Sequence, residues 1–283
     1  MRSFESPDPI AVAVDVALGD LRVSARDRAD TLVNVEPTNP SKPADVSAAN
    51  DTRVEYAEGR LAINTPKSWK RFAPFENGGS VQVTIDVPTG SSLEASSSLG
   101  DVQVDGELDR CRVKTAMGDI RLDHSGPLTL KTSYGNVDVD HVEGDADIDT
   151  GSGNVRIGTV VGAAIVKNSN GATAIDHVTG DLRVKAANGS IRIGSAEQSV
   201  VAKSAAGSIE VGSLRRGVAV LETSVGDLSV RLAPGTAANL DVRSKHGRIL
   251  SGLDASDGPA PTDDVLELRA HTTVGDITLR PDG

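Results

Sequence analysis

The sequence predicts an all-β protein, a single-chain β-solenoid with coils of about 18 residues and two short strands per coil, capped by an irregular N-terminal β region. Three observations predict it. Glycine recurs in one register, at Gly100, Gly118, Gly135, Gly153, Gly171, Gly189, Gly207, Gly226, Gly247 and Gly275, with intervals of 18, 17, 18, 18, 18 and 18 and then 19, 21 and 28. Around each glycine the residues seven and five before, and two and four after, are almost always apolar. Leu128, Leu130, Val137 and Val139 around Gly135 are one example. Finally, aromatics make up only 2% of a chain that is 38% apolar, so the core must be built from layered aliphatics.

Alternation with a period of two is the pattern of a strand with one buried face, and none of these repeat segments offers the 3.6-residue period of a helix. One such unit cannot bury its apolar face alone, whereas stacked units form a continuous core. A β-propeller would need blades of about 40–45 residues, and a nonapeptide calcium roll would need successive double glycines. Neither pattern is present, and Ala172 and Arg248 interrupt the acidic column that follows the glycines. The glycine itself is expected at a corner between strands, with Asp, Asn or Ser after it as turn formers. Three residues before it, Ser97, Thr115, Thr132, Thr150 and their successors suit a hydroxyl ladder along the stack.

Taken in order, residues 1–90 read as an N-terminal rung, a hairpin and a cap. AVAVDVALGDLRV (11–23) fits the coil template around Gly19, EPTNPSKPADVSAAND (36–51) reads as a loop, and RVEYAEGRLAIN (53–64) as a hairpin turning at Glu58-Gly59. Residues 91–283 read as the solenoid repeats, with SGLDASDGPAPTDD (251–264) as a loop inserted in one coil.

The rungs MGDIRL, YGNVDV, SGNVRI and NGSIRI resemble a bacterial family of β-strand repeat proteins known as putative adhesins, a family of unknown function. The resemblance covers roughly residues 80–280. It implies the solenoid fold and a surface-adhesion role, and it brings no catalytic motif to carry over.

Composition narrows the function classes. With 29 basic and 40 acidic residues the formal charge is −11, which argues against a nucleic-acid partner. Cys111 is the only cysteine, so no internal disulfide can form. No stretch is long and apolar enough to span a membrane. The N-terminal residues do not read as a signal peptide, so the expected location is cytoplasmic, or the cell surface if a leader has been removed. No nucleophile elbow, zinc-protease helix motif or phosphate loop is present, so an enzyme is not expected and no cofactor is implied.

Three constellations could carry a function. Asp123-His124, Asp140-His141 and Asp176-His177 all fall at the fifth and sixth positions after glycine, where stacked imidazoles and carboxylates could hold a divalent metal. Repeat duplication would also copy an exposed corner there. Four residues before glycine, Lys114, Lys131, Lys167, Lys185 and Lys203 form a mostly basic row, interrupted by Asp149 and Glu222. It suits an acidic partner, or simply guards a sheet against unwanted pairing. PKSWKRFAPFENGG (66–79) gathers Trp69, Phe72 and Phe75 with Lys70 and Arg71, as a partner contact or a cover for the core. The function predicted is that of a non-enzymatic, adhesin-like binding or scaffold protein with a protein partner or self-association. The alternatives are a self-assembling polymer like the bactofilins and a metal-binding module using the Asp-His corners.

Overall fold

A computed structural model describes residues 1–65, 79–253 and 264–282. The chain forms two compact units, Met1–Asp140 and His141–Gly283. In each, the period-two segments become short strands that pair in parallel with their counterparts one coil away, and the two strands of a coil lie on two walls around an aliphatic core.

In the first unit the elements are β1 (Arg2–Glu5), β2 (Ala11–Arg26), β3 (Asp30–Pro37), α1 (Pro43–Asp51), β4 (Arg53–Ala57), β5 (Arg60–Asn64) and β6 (Val81–Pro88). They are followed by β7 (Ser92–Leu99), β8 (Val102–Leu108), β9 (Arg110–Met117), β10 (Ile120–Ser125) and β11 (Leu128–Tyr134). β2 is one long strand serving both walls. Its first half pairs with β7 and its second half with β8, so Val12 meets Leu93 and Val23 meets Val104. β9 and β10 continue the two walls, and β11 continues the first, so the column seven before glycine runs Leu93, Cys111, Leu128 in register.

The coil formed by β5 and β6 is later in sequence than β2 yet lies on its other side, with Val14 opposite Ile63 and Val23 opposite Ile85. It is the outermost parallel coil of this unit and it is covered. β4 pairs antiparallel with β5 through a turn at Glu58 (φ 51°) and Gly59 (φ 71°), β3 pairs antiparallel with β6, and β1 with β3. Residues 36–51, read from sequence as a loop, contain α1, which packs on β3 and β6. Pro43 sits in its first turn, where a missing N–H costs nothing, so proline marks a helix start here. Buried Asp45 fixes it. One carboxylate oxygen accepts the Ser80 amide (3.0 Å) and the Lys42 ammonium (3.1 Å), and the other accepts the Asn39 amide (3.1 Å).

β12 (Val137–Val142) runs through the division between the units. The second unit then holds β13 (Ala146–Ser152), β14 (Val155–Val160), β15 (Ala164–Asn170), β16 (Thr173–Val178), β17 (Leu182–Asn188), β18 (Ile191–Ala196), β19 (Val200–Ala206) and β20 (Ile209–Leu214). β21 (Gly217–Val225), β22 (Leu228–Leu232), β23 (Thr236–His246), β24 (Ile249–Ser251), β25 (Asp264–Val274) and β26 (Ile277–Pro281) complete it. Odd-numbered strands make one wall and even-numbered strands the other, in sequence order as far as β21 and β22.

There the order changes. β21 pairs with β25, not β23, and β22 with β26, while β23 and β24 pair with the far sides of β25 and β26. The last coil in sequence is thus inserted between the two before it. The 28-residue glycine interval therefore links two coils that exchange places rather than one coil carrying a simple insertion. Residues 254–263, most of the expected loop, lie outside the described residues.

Burial follows the four columns. Members such as Ile148, Val166, Ile193 and Leu221 have no exposed surface. The coil of Gly247 is the exception: Leu240 and Ile249 are 39% and 47% exposed, because among the described residues this coil is paired on one side only.

The corner glycine has two reasons to be there. Gly118 has φ 145°, a region only glycine occupies readily, and a Cβ on it would stand 2.0 Å from the carbonyl oxygen of Gly100 in the adjacent coil. The residue after the glycine bonds across coils. Asp20 accepts the amide of Asp101 (3.0 Å), Asp101 that of Asp119 (2.8 Å), and Asp119 that of Asn136 (2.7 Å). In the second unit Asp227 accepts the amide of Asp276 and Asp276 that of Arg248, both at 2.8 Å, following the exchanged coil order. The residues expected to form a hydroxyl ladder bond mainly to backbone. Thr223 donates to the Gly207 carbonyl (2.9 Å), Thr272 to Gly226 (3.0 Å) and Ser244 to Gly275 (2.8 Å). Their side chains point inward at the corner, where the nearest acceptors are carbonyls of the neighbouring turn.

Candidate functional site

The outward face of the odd-numbered wall in the second unit carries the richest constellation among the described residues. In a parallel ladder with unbroken register, residues at equivalent positions stack about 4.8 Å apart. The alternation that turns Ala164, Val166 and Asn168 inward turns Ile165, Lys167 and Ser169 outward, and the same holds one coil on for Arg183, Lys185 and Ala187. One outward row reads Asp149, Lys167, Lys185, Lys203, Glu222, His271, Arg243 in spatial order. The row beside it reads Asp147, Ile165, Arg183, Val201, Val220, Arg269, Asp241.

The centre of this face is basic. Lys203 pairs with Glu222 (2.6 Å), while Lys167, Arg183 and Lys185 have no carboxylate partner among the described residues. The small residues next to the lysine row leave an open groove of about 570 Å³ bordered by Lys185, Lys203, Glu222 and His271. At the far end His271 lies 3.4 Å from Asp241, which also takes two bonds from Arg243 (2.8 and 3.3 Å). Desolvation raises the Asp241 carboxyl, but the His271 and Arg243 contacts outweigh it and hold the group below its ordinary value.

The remaining expected site residues are dispersed. Lys114 and Lys131 stack in register on β9 and β11 of the first unit and are exposed. Trp69, Phe72, Phe75, Lys70 and Arg71 lie outside the described residues. Of the Asp-His corners, Asp123 accepts the Gly106 amide (3.0 Å) and His124 stands opposite Glu107 in the first unit, where exposed Asp140 also lies. His141 meets Glu143 (3.2 Å) in the second unit. His177 bonds Ser195 (2.7 Å) and faces Glu197 (3.5 Å), and Asp176 beside it is exposed. Among the described residues no group of three or more His, Cys, Asp or Glu side chains is placed to hold a metal ion. No helix among them is long and apolar enough to cross a membrane.

Reading the lysine row alone misses Arg183 and His271. Arg183 sits in the neighbouring outward row and was visible in the alternation. His271 belongs to the row only because the last coil is inserted between the two before it.

Two-strand coils in parallel register, glycine corners bridged from coil to coil and charged outward faces define a parallel β-solenoid repeat protein. The chain belongs to the Toastrack DUF4097 family, whose model matches residues 11–280. Among solved structures, it is similar to a putative adhesin from Bacteroides fragilis, at 15% identity over 99% of this chain and 95% of that one, with a TM-score of 0.41. It is also similar to a putative cell adhesion protein from Clostridium sporogenes, at 11% identity over 99% and 98%, with a TM-score of 0.24. A putative lipid binding protein from Parabacteroides distasonis shares 14% identity over 97% and 95%, with a TM-score of 0.32. No curated protein matches the chain.

Proposed function

We propose that the chain is a non-enzymatic, adhesin-like binding and scaffold protein whose basic wall in the second unit receives an acidic protein surface. One observation carries this reading. Lys167, Arg183 and Lys185 stand on adjacent coils without carboxylate partners among the described residues, in a chain whose formal charge is −11. Like charges held one strand spacing apart repel, and a row of carboxylates laid along the wall would relieve that repulsion. The groove beside the lysine row is open rather than enclosed, which suits an extended or protein-sized partner better than a small molecule.

Poly-L-glutamate is a suitable probe. Binding to the intact chain, measured by biolayer interferometry at 50 and 300 mM salt, is expected to weaken at the higher salt as screening increases. Each exposed charge contributes about 0.2–1 kcal/mol, so Lys167→Glu with Lys185→Glu is expected to weaken binding about tenfold. The circular dichroism of the variant should match the parent. Absence of binding at 50 mM salt, or binding indifferent to both substitutions, would overturn the reading.

A further inference from the structure

We infer that the outer coil of the second unit, β23 with β24, is a docking surface for a second copy of this chain, giving a two-fold dimer. β23 is eleven residues long and pairs with β25 on one side, and no strand covers its other side among the described residues. Its core-facing positions are left open. Leu240 is 39% exposed and Ile249 47%, whereas their counterparts Leu268 and Ile277 one coil inward have no exposed surface. Leu250, on the outer side of β24, is 52% exposed.

The outermost coil of the first unit is treated differently. There β5 and β6 are covered by antiparallel strands, and the strands left at the rim are the four-residue β1 and the five-residue β4, carrying Arg2, Glu5, Arg53 and Glu55. Short, charged strands are how proteins blunt a sheet edge. β23 also carries charge, at Asp241, Arg243 and Lys245, but it is eleven residues long and leaves Leu240 exposed and Val242 half-buried, so it is not blunted.

The charge pattern selects the occupant. The Gly235 carbonyl accepts the Asp264 amide (2.9 Å), so from Ala237 to Arg243 the odd-numbered residues turn their backbone groups toward β25; past Lys245 the pattern reverses, and the His246 carbonyl accepts the Gly275 amide (3.0 Å). The even-numbered residues Leu240, Val242 and Ser244 therefore turn theirs to the open side. An antiparallel pairing of β23 with its own copy, centred on Val242, uses those groups. It sets Val242 against Val242 and Leu240 against Ser244 as hydrogen-bonded pairs. In that register Asp241 of each copy stands opposite Arg243 of the other, twice over by symmetry. Centring the pair on residue 241 would oppose two carboxylates, and centring it on 243 two guanidiniums. The Asp241 and Arg243 side chains already bond within their own strand, so both are held on the outward face. Because the outermost coil of the first unit is covered, assembly stops at two copies.

Sedimentation equilibrium of the full chain is the test. The expected species has twice the 29.2 kDa chain mass, without larger assemblies. Arg243→Asp would bring four carboxylates together and is expected to raise the dimer dissociation constant at least tenfold. The charge-swapped chain, Asp241→Arg with Arg243→Asp, should dimerise again, which separates pairing from damage to the coil. A monomer at all concentrations would overturn the inference. So would a dimer indifferent to Arg243→Asp, a failure of the swapped chain to recover, or growth beyond two copies. Poly-L-glutamate binding reports on the lysine row independently, so either reading can fail alone.

Discussion

Replacing Gly118 by alanine tests whether coil stacking depends on the corner glycine. Its φ of 145° lies where side chains cost about 1–3 kcal/mol. The added Cβ would stand 2.0 Å from the Gly100 oxygen and 2.6 Å from its carbon, both backbone atoms that no rotamer change can move aside. The adjacent coil would have to retreat by roughly 1 Å or more to reach ordinary contact. That retreat stretches the bonds from the Gly100 amide to Met117 (2.9 Å), from Val102 to Asp119 (2.9 Å) and from Asp119 to the Asp101 carboxylate (2.8 Å). At about 1 kcal/mol each they add about 3 kcal/mol, for a loss on the order of 4–6 kcal/mol. The control is Gly59→Ala, in the same unit, with φ 71° and no atom within 4 Å of the added Cβ; it is expected to cost about 1–2 kcal/mol. Urea unfolding followed by circular dichroism reads both. If Gly118→Ala loses no more stability than Gly59→Ala, the close approach of coils is not what the glycine serves and the reasoning fails.

Two further predictions concern buried groups. Burial pushes the Cys111 thiol from its ordinary value near 9.0 up to about 12. The thiol is therefore neutral in the fold while the unfolded chain ionises above pH 9, so stability falls as pH rises from 9 to 12, by about 1.4 kcal/mol per pH unit. Unfolding titrations of the parent and Cys111→Ala should diverge in slope over that window, and Ellman's reagent should label the native thiol only on unfolding. Equal slopes would contradict it. For Asp45, burial raises the carboxyl, but the Ser80 amide, the Lys42 ammonium and the Asn39 amide together hold it below 3.8. Its contribution is present above the unfolded pKa and lost as pH falls through the lower folded one. Asp45→Ala leaves two amides without their acceptor and is expected to cost about 2–4 kcal/mol at pH 7, with a smaller difference from the parent at pH 3. A constant difference across that range would show that the ionised carboxylate is not what holds α1.

The candidate site was legible to the extent that it depends on alternation. Lys167, Lys185 and Lys203 share a row because each lies four residues before a glycine, and an unbroken register keeps them there. Whether a lysine is paired is not a property of its column. Lys203 has Glu222 beside it because the next coil places an acid there, while Lys185 is flanked by lysines on both sides. Asp45 was hidden for a related reason: its partners Ser80 and Asn39 come from segments with no repeat to align.

The sequence by itself determined the coil. Period-two aliphatics fix which face of each strand is buried, because a slip of one residue would expose every Val, Ile and Leu of the rung. The recurring glycine marks where adjacent backbones come too close for a side chain. What only the tertiary structure decided is the order in which coils stack near the ends. Every coil has the same cross-section, so local pattern cannot say which neighbour a coil will meet. Placement is decided by the burial each coil can gain: β25 brings Leu266, Leu268 and Ala270 and is enclosed on both sides. β24 offers Ser251 where interior coils have an aliphatic, and its coil is left outermost.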